Sequence, residues 1–330
     1  MHMADALLSP AVGGTMLVVS AGVLAYAVRD VRRNFQESRI PLMGVTGAFV
    51  FAAQMVNFSI PGTGSSGHIS GAVLLAALLG PSPAFIVMAG VLLIQALFFA
   101  DGGLLAWGCN LFNMAFFGCF LAYPYLFRPI AGKTLSRLRI LAASLVASIV
   151  SLELGAFAVT LETLLSGITE LPFGMFVAVM MPIHLAIAVG EGLAAGAVLL
   201  FVRSHLPEAE ELRLEEKKLS VRRLSLVLGL AALVIGGGLS LLASGKPDGL
   251  EWSMERTAGS AELESSGAFH ALFARLAEFF ALLPDYAFPG SESPAGTVVA
   301  GSAGVVLCLL ILVACGCLIC RKRSCRGGVR

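Results

Sequence analysis

The chain has 330 residues, of which 57% are hydrophobic and only 13% are charged, and its formal net charge is +1. A soluble domain carries about 25% charged residues, so this composition excludes a soluble globule and predicts a protein that crosses a membrane several times. The near-neutral charge also argues against a nucleic acid as partner.

Hydrophobic runs follow one another along most of the chain. Most of them approach the ~20 residues that a helix needs to cross ~30 Å of hydrocarbon, and two shorter ones, on either side of residues 80–83, are typical of a helical hairpin. Gly190 and Gly192, each followed by a small residue four positions later, favour close helix packing. We therefore predict an all-α polytopic membrane protein, with nine crossings at residues 10–28, 41–57, 69–80, 84–100, 103–127, 138–165, 173–202, 222–244 and 297–320.

The orientation follows from lysine and arginine, which concentrate in cytoplasmic loops. Nine alternating crossings place every basic cluster on one side of the membrane. We therefore predict a multi-pass protein of the cell (inner) membrane with its N-terminus outside and its C-terminus in the cytoplasm. The clusters lie within residues 29–39, 128–139, 203–223 and 321–330.

The chain begins Met1-His2, without the basic residues of a cleavable signal, so we expect Met1 to be the mature N-terminus. A free α-amine titrates near ~7.7–8.0, so part of it is neutral and can bind a metal. The amine, the His2 amide nitrogen and His2 Nδ1 can close a five- and a six-membered chelate ring. A planar set of nitrogen donors favours Ni(II) or Cu(II) and accommodates Co(II), whereas zinc prefers a tetrahedron.

His68 is the candidate for a fourth nitrogen donor, since it lies in a loop of residues 57–71 on the same predicted outer side as His2. The loop is rich in glycine, serine and threonine. Its Asn57, Ser65 and Ser66 are candidates to hydrogen-bond the metal ligands. Taken alone, however, a histidine at position 2 is usually incidental and a loop histidine is usually solvated.

The other polar groups support rival interpretations less well. His184 and Glu191 lie on one helical face within a membrane run, where we favour a structural pairing with another helix over a metal role. His205 and His270 are expected to be solvated. Five of the seven cysteines lie between residues 308 and 325, and without a second pair elsewhere they do not predict a zinc site.

Several motifs together resemble the CbiM/NikM family, the substrate-binding S components of energy-coupling factor transporters for cobalt and nickel. These motifs are "MH", "LSP", "NF…PGTGSSGH", "ADGGLLAWGCNLFNMAFFG" and "HLAIAVGEGL", within residues 1–205. The C-terminal part resembles the small N component of the same transporters, with "KPDGLEWSMERT" similar to the PDGLE motif and "LLPDYAFPG" similar to a second signature. The resemblance implies a seven-helix metal-binding core at 1–205, a charged cytoplasmic linker at 206–221 and a two-helix domain with a large outer loop at 222–330.

The resemblance also implies that the transported ion is Ni(II) or Co(II), and the nickel-type C-terminal domain slightly favours nickel. It assigns the metal ligands to the Met1 amine, the His2 amide nitrogen and Nδ1, and the His68 imidazole. It implies a membrane T component and ATP-binding subunits as partners, with no cofactor in this chain. The sequence has no GxxxxGK[ST] loop, so it does not predict an ATPase.

Two alternatives come from other classes of protein. A cation-coupled secondary transporter would need ionisable residues at mid-membrane, for which His184, Glu191 and Glu153 are the candidates. A membrane metalloprotease would need a motif such as HExxH, which the sequence lacks. The outer loop at 245–296 has a helical apolar pattern within the segment from Ala268 to Leu283, which predicts that it docks on the outer face of the core and acts in transport and not in primary metal binding. The alternative is that the loop only spaces two helices.

Overall fold

The computed structural model describes residues 1–34, 36–132, 136–169, 171–205, 218–260, 267–291 and 293–324, and most of them are helical. The predicted linker therefore lies outside the described residues up to position 217. In chain order the helices are α1 (Pro10–Asn34), α2 (Ile40–Gln54), α3 (Ala72–Leu79), α4 (Pro81–Phe98), α5 (Trp107–Leu111), α6 (Arg128–Ala131), α7 (Arg137–Ser166), α8 (Phe173–His205), α9 (Lys218–Gly237), α10 (Gly249–Ala258), α11 (Ala268–Phe280) and α12 (Pro294–Ser324). Between α5 and α6 the helix continues through π-helical turns at Phe112–Phe127.

Six of the described helices are long and apolar enough to cross a membrane, which confirms a polytopic all-α protein. They are α1, α4, the continuous helix from α5 to α6, α7, α8 and α12. Six of the nine predicted crossings therefore correspond to helices of sufficient length and hydrophobicity. α2 has 15 residues and α3 only 8, so α3 is about 12 Å long and too short to cross alone. The crossing assigned to α9 stays a prediction.

Small residues allow the closest helix contacts. A Cβ at Gly192 of α8 would lie 2.7 Å from the Leu145 Cα of α7, and one at Gly190 would lie 2.7 Å from the Phe58 ring. The prediction of close helix packing is confirmed for Gly192, whereas Gly190 leaves room for the Phe58 ring of the loop that contains His68. In the C-terminal part, Gly301 of α12 meets the Gly236 carbonyl of α9, where no side chain would fit. Both α9 and α12 also pack on α2, so the C-terminal domain (residues 222–330) is attached directly to the N-terminal core.

The loop that contains His68 is the one part of the described core with a β-ladder. Strands β1 (Phe58–Ser59) and β2 (Ser66–Gly67) pair antiparallel, with Phe58 opposite Gly67. This two-residue ladder is the exception to the all-α prediction. The chain then turns into α3 at Gly71, whose φ of +82° is easily adopted only by glycine.

Glu191 of α8 holds the end of this loop. Its Oε2 accepts a hydrogen bond from the Ser70 N–H (2.8 Å), and its Oε1 accepts from the Ser70 hydroxyl (2.8 Å) and the Gly71 N–H (3.1 Å). Glu191 has the structural role that we favoured for it, but its partner is the loop and not another helix. α8 thereby fixes the position of the segment that carries His68.

We expect Glu191→Gln to lower the free energy of unfolding by about 3 kcal/mol, because the amide turns a donor toward backbone N–H groups that are buried and lose their acceptor. The measurement is thermal unfolding of the purified protein in detergent. Glu153→Gln on α7 is the matched control, since Glu153 makes none of these contacts with the loop. Equal unfolding temperatures for the two variants would contradict the anchoring role.

Candidate metal centre

The segment before α1 lies in the interior of the protein and is bound to α5. Asn110 holds the Met3 peptide from both sides: Oδ1 accepts from the Met3 N–H at 2.7 Å, and Nδ2 donates to the Met3 carbonyl at 3.1 Å. The same carbonyl accepts from the Gly103 N–H at 2.9 Å. Because buried backbone groups need partners, these three bonds fix the path of the chain up to its first two residues.

The amino terminus is itself buried and faces one carboxylate and one imidazole. The Met1 nitrogen lies 2.5 Å from Asp248 Oδ2 and 3.5 Å from His68 Nε2. Asp248 is also the N-cap of α10, where its Oδ1 accepts from the N–H groups of Leu250 and Glu251, each at 2.8 Å. One oxygen of this carboxylate therefore starts a helix of the C-terminal domain, and the other neutralises the N-terminal ammonium.

His68 presents a free lone pair to the Met1 amine. Its ring is buried, and Nδ1 lies 3.1 Å from the carbonyl oxygen of Ile69. Since a carbonyl can only accept, the proton of the neutral ring is on Nδ1 and Nε2 carries the lone pair. This is the tautomer required of a nitrogen that coordinates a metal through Nε2.

The His2 ring is stacked on the His68 ring, with centroids 5.0 Å apart and an interplanar angle of 18°. Its Nδ1 lies 3.2 Å from Asp101 Oδ1, whereas Nε2 is buried and has no hydrogen-bond partner among the described residues. The structure thus brings together Met1, His2 and His68, as predicted. It differs from the predicted chelate in one respect, because His2 Nδ1 faces Asp101.

Burial controls the protonation of the site. It lowers the pKa of His68 to about 3, with the Met1 ammonium acting in the same direction. It also lowers the pKa of His2, although Asp101 opposes this shift. Burial by itself raises the pKa of Asp248, but the Met1 ammonium above all holds that pKa below its usual range.

Both imidazoles are therefore neutral at pH 7, as metal ligands must be. The unfolded His68 takes up a proton near pH 6.5 and the folded one only near pH 3. Its contribution to stability is therefore present above pH 6.5 and is lost as the pH falls toward 3.

His184 opens onto the same cavity, which is lined by Met1, His68, Met114 and Asp248 among others. Its Nδ1 bonds the Met180 carbonyl at 2.9 Å, so Nδ1 carries the proton, and Nε2 is buried without a partner among the described residues. The structure thus places His184 beside the candidate site and apart from Glu191.

The serines of the loop bind the C-terminal domain. Ser66 donates its hydroxyl to the Lys246 carbonyl at 2.7 Å, and its N–H bonds the Pro247 carbonyl at 2.8 Å. The Ser65 hydroxyl lies 3.4 Å from the same Pro247 oxygen, and the Asn57 carbonyl accepts from the Ser244 N–H at 2.8 Å. The predicted bonds from Asn57, Ser65 and Ser66 to metal ligands are not present in this structure.

Helix α11 contacts the core differently from the prediction. His270, expected to be solvated, is buried and its Nε2 donates to the Leu8 carbonyl at 2.9 Å. The apolar side chains expected to dock on the core point outward, with Phe269 62% and Phe279 79% exposed. The prediction was wrong about the face of the helix, because an amphipathic pattern does not distinguish a face toward the protein from one toward another apolar medium.

Sequence reasoning missed the carboxylates Asp101 and Asp248 as members of the site. Asp248 carried a readable signal, since Asp248 and Glu251 have the spacing of a capping box and so predict a helix start. That signal gives no information about what the second carboxylate oxygen contacts. Within the described residues, no group of three or more His, Cys, Asp or Glu side chains is placed to hold a metal ion.

Comparison with known proteins agrees with this architecture. Residues 2–209 match the family described as "Cobalt uptake substrate-specific transmembrane region", CbiM, and residues 222–321 match the PDGLE domain. The putative fused nickel transport protein NikMN of Archaeoglobus fulgidus is 31% identical over 94% of this chain and 96% of its own length. The fused nickel transport protein NikMN of Rhodobacter capsulatus is 31% identical over 93% of this chain and 94% of its own.

Solved structures support the same assignment for the N-terminal core. The crystal structure of a transition metal transporter superposes with a TM-score of 0.56 and 31% identity, covering 63% of this chain and 95% of that one. A truncated transition metal transporter gives a TM-score of 0.55 at 31% identity, with 62% and 99% covered. The chain therefore belongs to the CbiM family of metal uptake proteins, with a PDGLE domain fused to its C-terminal side.

Proposed function

We propose that this protein binds Ni(II) or Co(II) from outside the cell and mediates its uptake as the substrate-specific component of an energy-coupling factor transporter. The observation that carries the proposal is the buried Met1 amine, which lies 3.5 Å from the unprotonated Nε2 of His68 and next to the stacked His2 ring. A buried ammonium is costly unless it has a function or a partner. Four nitrogens would bind the ion: the Met1 amine, the His2 amide nitrogen, His2 Nδ1 and His68 Nε2.

Binding exchanges protons for the metal. The Met1 ammonium loses one proton and the His2 amide loses another, while the His2 ring moves its proton from Nδ1 to Nε2. One divalent ion therefore replaces two protons, and His68 contributes a lone pair without further change. The ion pair between the Met1 ammonium and Asp248 is lost together with the ammonium proton.

Nickel is the preferred ion in this proposal. A four-nitrogen plane that includes a deprotonated amide suits Ni(II) better than the octahedral oxygen sites of Mg(II) or the tetrahedron of Zn(II). The relatives aligned over the full length, including the probable fused nickel transport protein LarMN of Lactiplantibacillus plantarum at 30% identity, are named as nickel transport proteins. Co(II) fits the same donors less selectively.

Uptake needs energy from other subunits. The sequence contains no phosphate-binding GxxxxGK[ST] loop, so ATP hydrolysis belongs to ATP-binding subunits that act with a membrane T component. We place the N-terminus outside and the C-terminus in the cytoplasm, which puts the amine and His68 on the side from which the metal arrives. Secondary transport coupled to another cation has less support, because Glu191, one of its few intramembrane candidates, is occupied by the loop.

We expect His2→Ala to weaken Ni(II) binding by about a thousandfold or more, equivalent to about 4 kcal/mol, because it removes one donor and opens a chelate ring. The measurement is the dissociation constant from competition with a chelator, with thermal unfolding to check the fold. His205→Ala, at the C-terminal end of α8, is the control. Near-unchanged affinity in His2→Ala would exclude the proposed ligand set.

An uncleaved N-terminal extension should be as harmful as the loss of His2. The added residue converts the Met1 amine into an amide, although this nitrogen is buried against Asp248 and His68. Metal uptake by cells that express the extended protein is compared with uptake when the same tag is placed at the C-terminus. Equal uptake for both tag positions would show that the free amine is not a ligand.

Replacing residues 246–295 by a flexible linker should leave measurable metal binding but abolish uptake. The four proposed ligands lie outside this segment, which instead holds the amine and the His68 loop through Asp248, Lys246 and Pro247. Binding is measured on purified protein, and uptake in cells with the coupling subunits present. Complete loss of binding would place a ligand inside the segment, and unchanged uptake would reduce the segment to a spacer.

A further inference from the structure

A chain of hydrogen bonds connects the C-terminal domain to His2. The Tyr286 hydroxyl donates to Asp101 Oδ2 at 2.5 Å, and the other oxygen of Asp101 lies 3.2 Å from His2 Nδ1. Gln95 of α4 donates its Nε2 to the Tyr286 hydroxyl at 3.3 Å. Tyr286 therefore donates to Asp101 while accepting from Gln95, so the direction of its O–H bond is determined.

The backbone around Tyr286 is shaped to deliver this hydroxyl. Asp285 and Tyr286 adopt φ angles of +52° and +57°, and Ala100, next to Asp101, has φ +53°. Such conformations are strained in non-glycine residues and persist only where surrounding contacts enforce them. Next to Tyr286, the Asp285 N–H is held by the Phe99 carbonyl at 2.9 Å.

The tyrosine ring is fixed as well as its backbone. It stacks on Phe99 with ring centroids 4.9 Å apart and an interplanar angle of 17°. The segment before it is tied to α4, because the Leu282 and Leu283 N–H groups both bond the Phe98 carbonyl at 3.1 Å. The hydroxyl thus reaches Asp101 from a rigid support.

We propose that Tyr286 is a positioning residue for the metal ligand His2, acting through Asp101. The inference rests on the proposed function, since it takes His2 as a ligand. In the structure described here the pair holds the His2 ring with Nδ1 toward Asp101. A half-turn of the ring about its Cβ–Cγ bond moves Nδ1 to the opposite edge, where the metal binds, and brings Nε2 to the edge that faces Asp101.

After this rotation Asp101 becomes the acceptor for the ring N–H of the metal-bound His2. A metal-bound imidazole must carry its proton on the other nitrogen, and this N–H needs an acceptor in a buried site. Asp101 is the carboxylate within reach, and the Tyr286 hydrogen bond keeps it in place. Histidine ligands supported by a carboxylate in this way typically lose 10–100-fold in metal affinity when the support is removed.

The test uses the full chain with Tyr286→Phe, Asp101→Asn and the double variant, with the exposed Tyr26→Phe as control. Tyr286→Phe retains the ring that stacks on Phe99 and removes only the hydroxyl. Affinity for Ni(II) is measured by chelator competition, and the coordination of the bound ion by its visible absorption. We expect about tenfold weaker binding in Tyr286→Phe and at least as large a loss in Asp101→Asn.

The double variant separates positioning from a structural effect. If Tyr286 acts through Asp101, removing its hydroxyl in the Asp101→Asn background weakens binding no further, whereas independent effects on folding would multiply. Multiplicative losses, or a Tyr286→Phe variant with the affinity of Tyr26→Phe, would overturn the inference. His2→Ala, measured in the same assay, separates the proposed ligand set from the positioning role of Tyr286. Retained Ni(II) binding in His2→Ala refutes the ligand set. Lost binding in His2→Ala, together with unchanged affinity in Tyr286→Phe, refutes only the positioning role.

Discussion

The burial of a charged chain terminus is the constraint on which the rest of this structure depends. The Met1 ammonium lies inside the protein, where an isolated charge would cost several kcal/mol, and it is tolerated because Asp248 lies 2.5 Å away. Asp248 can be there only because α10 begins at that point and uses the other oxygen of the same carboxylate as its cap. The bonds from Asn110 to Met3, and from Ser66 to Lys246, then bring the two chain segments to a common position.

The two parts of the chain therefore share one site. The N-terminal core supplies His68, on a loop anchored by Glu191, and the C-terminal domain supplies the groups that hold the first two residues. Asp248 contacts the Met1 amine directly, and Tyr286 reaches His2 through Asp101. Fusion of the two domains keeps both contacts intramolecular, so no association cost opposes their formation.

The sequence predicted the parts of the molecule that depend on local pattern. The apolar runs at 138–165 and 173–202 end within three residues of the ends of α7 and α8. Such helices can be predicted because the hydrophobic residues that mark them lie within the segment itself. His2 and His68 could be predicted to meet because chelate chemistry demands a specific donor set. The contact of Met1 with Asp248 could not, since it joins residues 247 positions apart and no local pattern encodes it. The outward apolar face of α11 could not be predicted for a similar reason, because an amphipathic pattern does not show what the apolar face contacts.

The contacts of the candidate site also bear on which ion the proposed ligands would accept. The Met1 amine is paired with Asp248 and His2 Nδ1 with Asp101, so metal binding as proposed above would exchange these interactions for bonds to the ion. The net free energy of binding is then the energy of the new metal–nitrogen bonds less the cost of the broken interactions and of releasing two protons. Mg(II) and Ca(II) bind nitrogen weakly and cannot make up that difference, whereas Ni(II) forms strong bonds to an amine, an amide and two imidazoles. In the proposed function, selectivity against the abundant hard cations would thus depend on these hydrogen bonds as much as on the ligands.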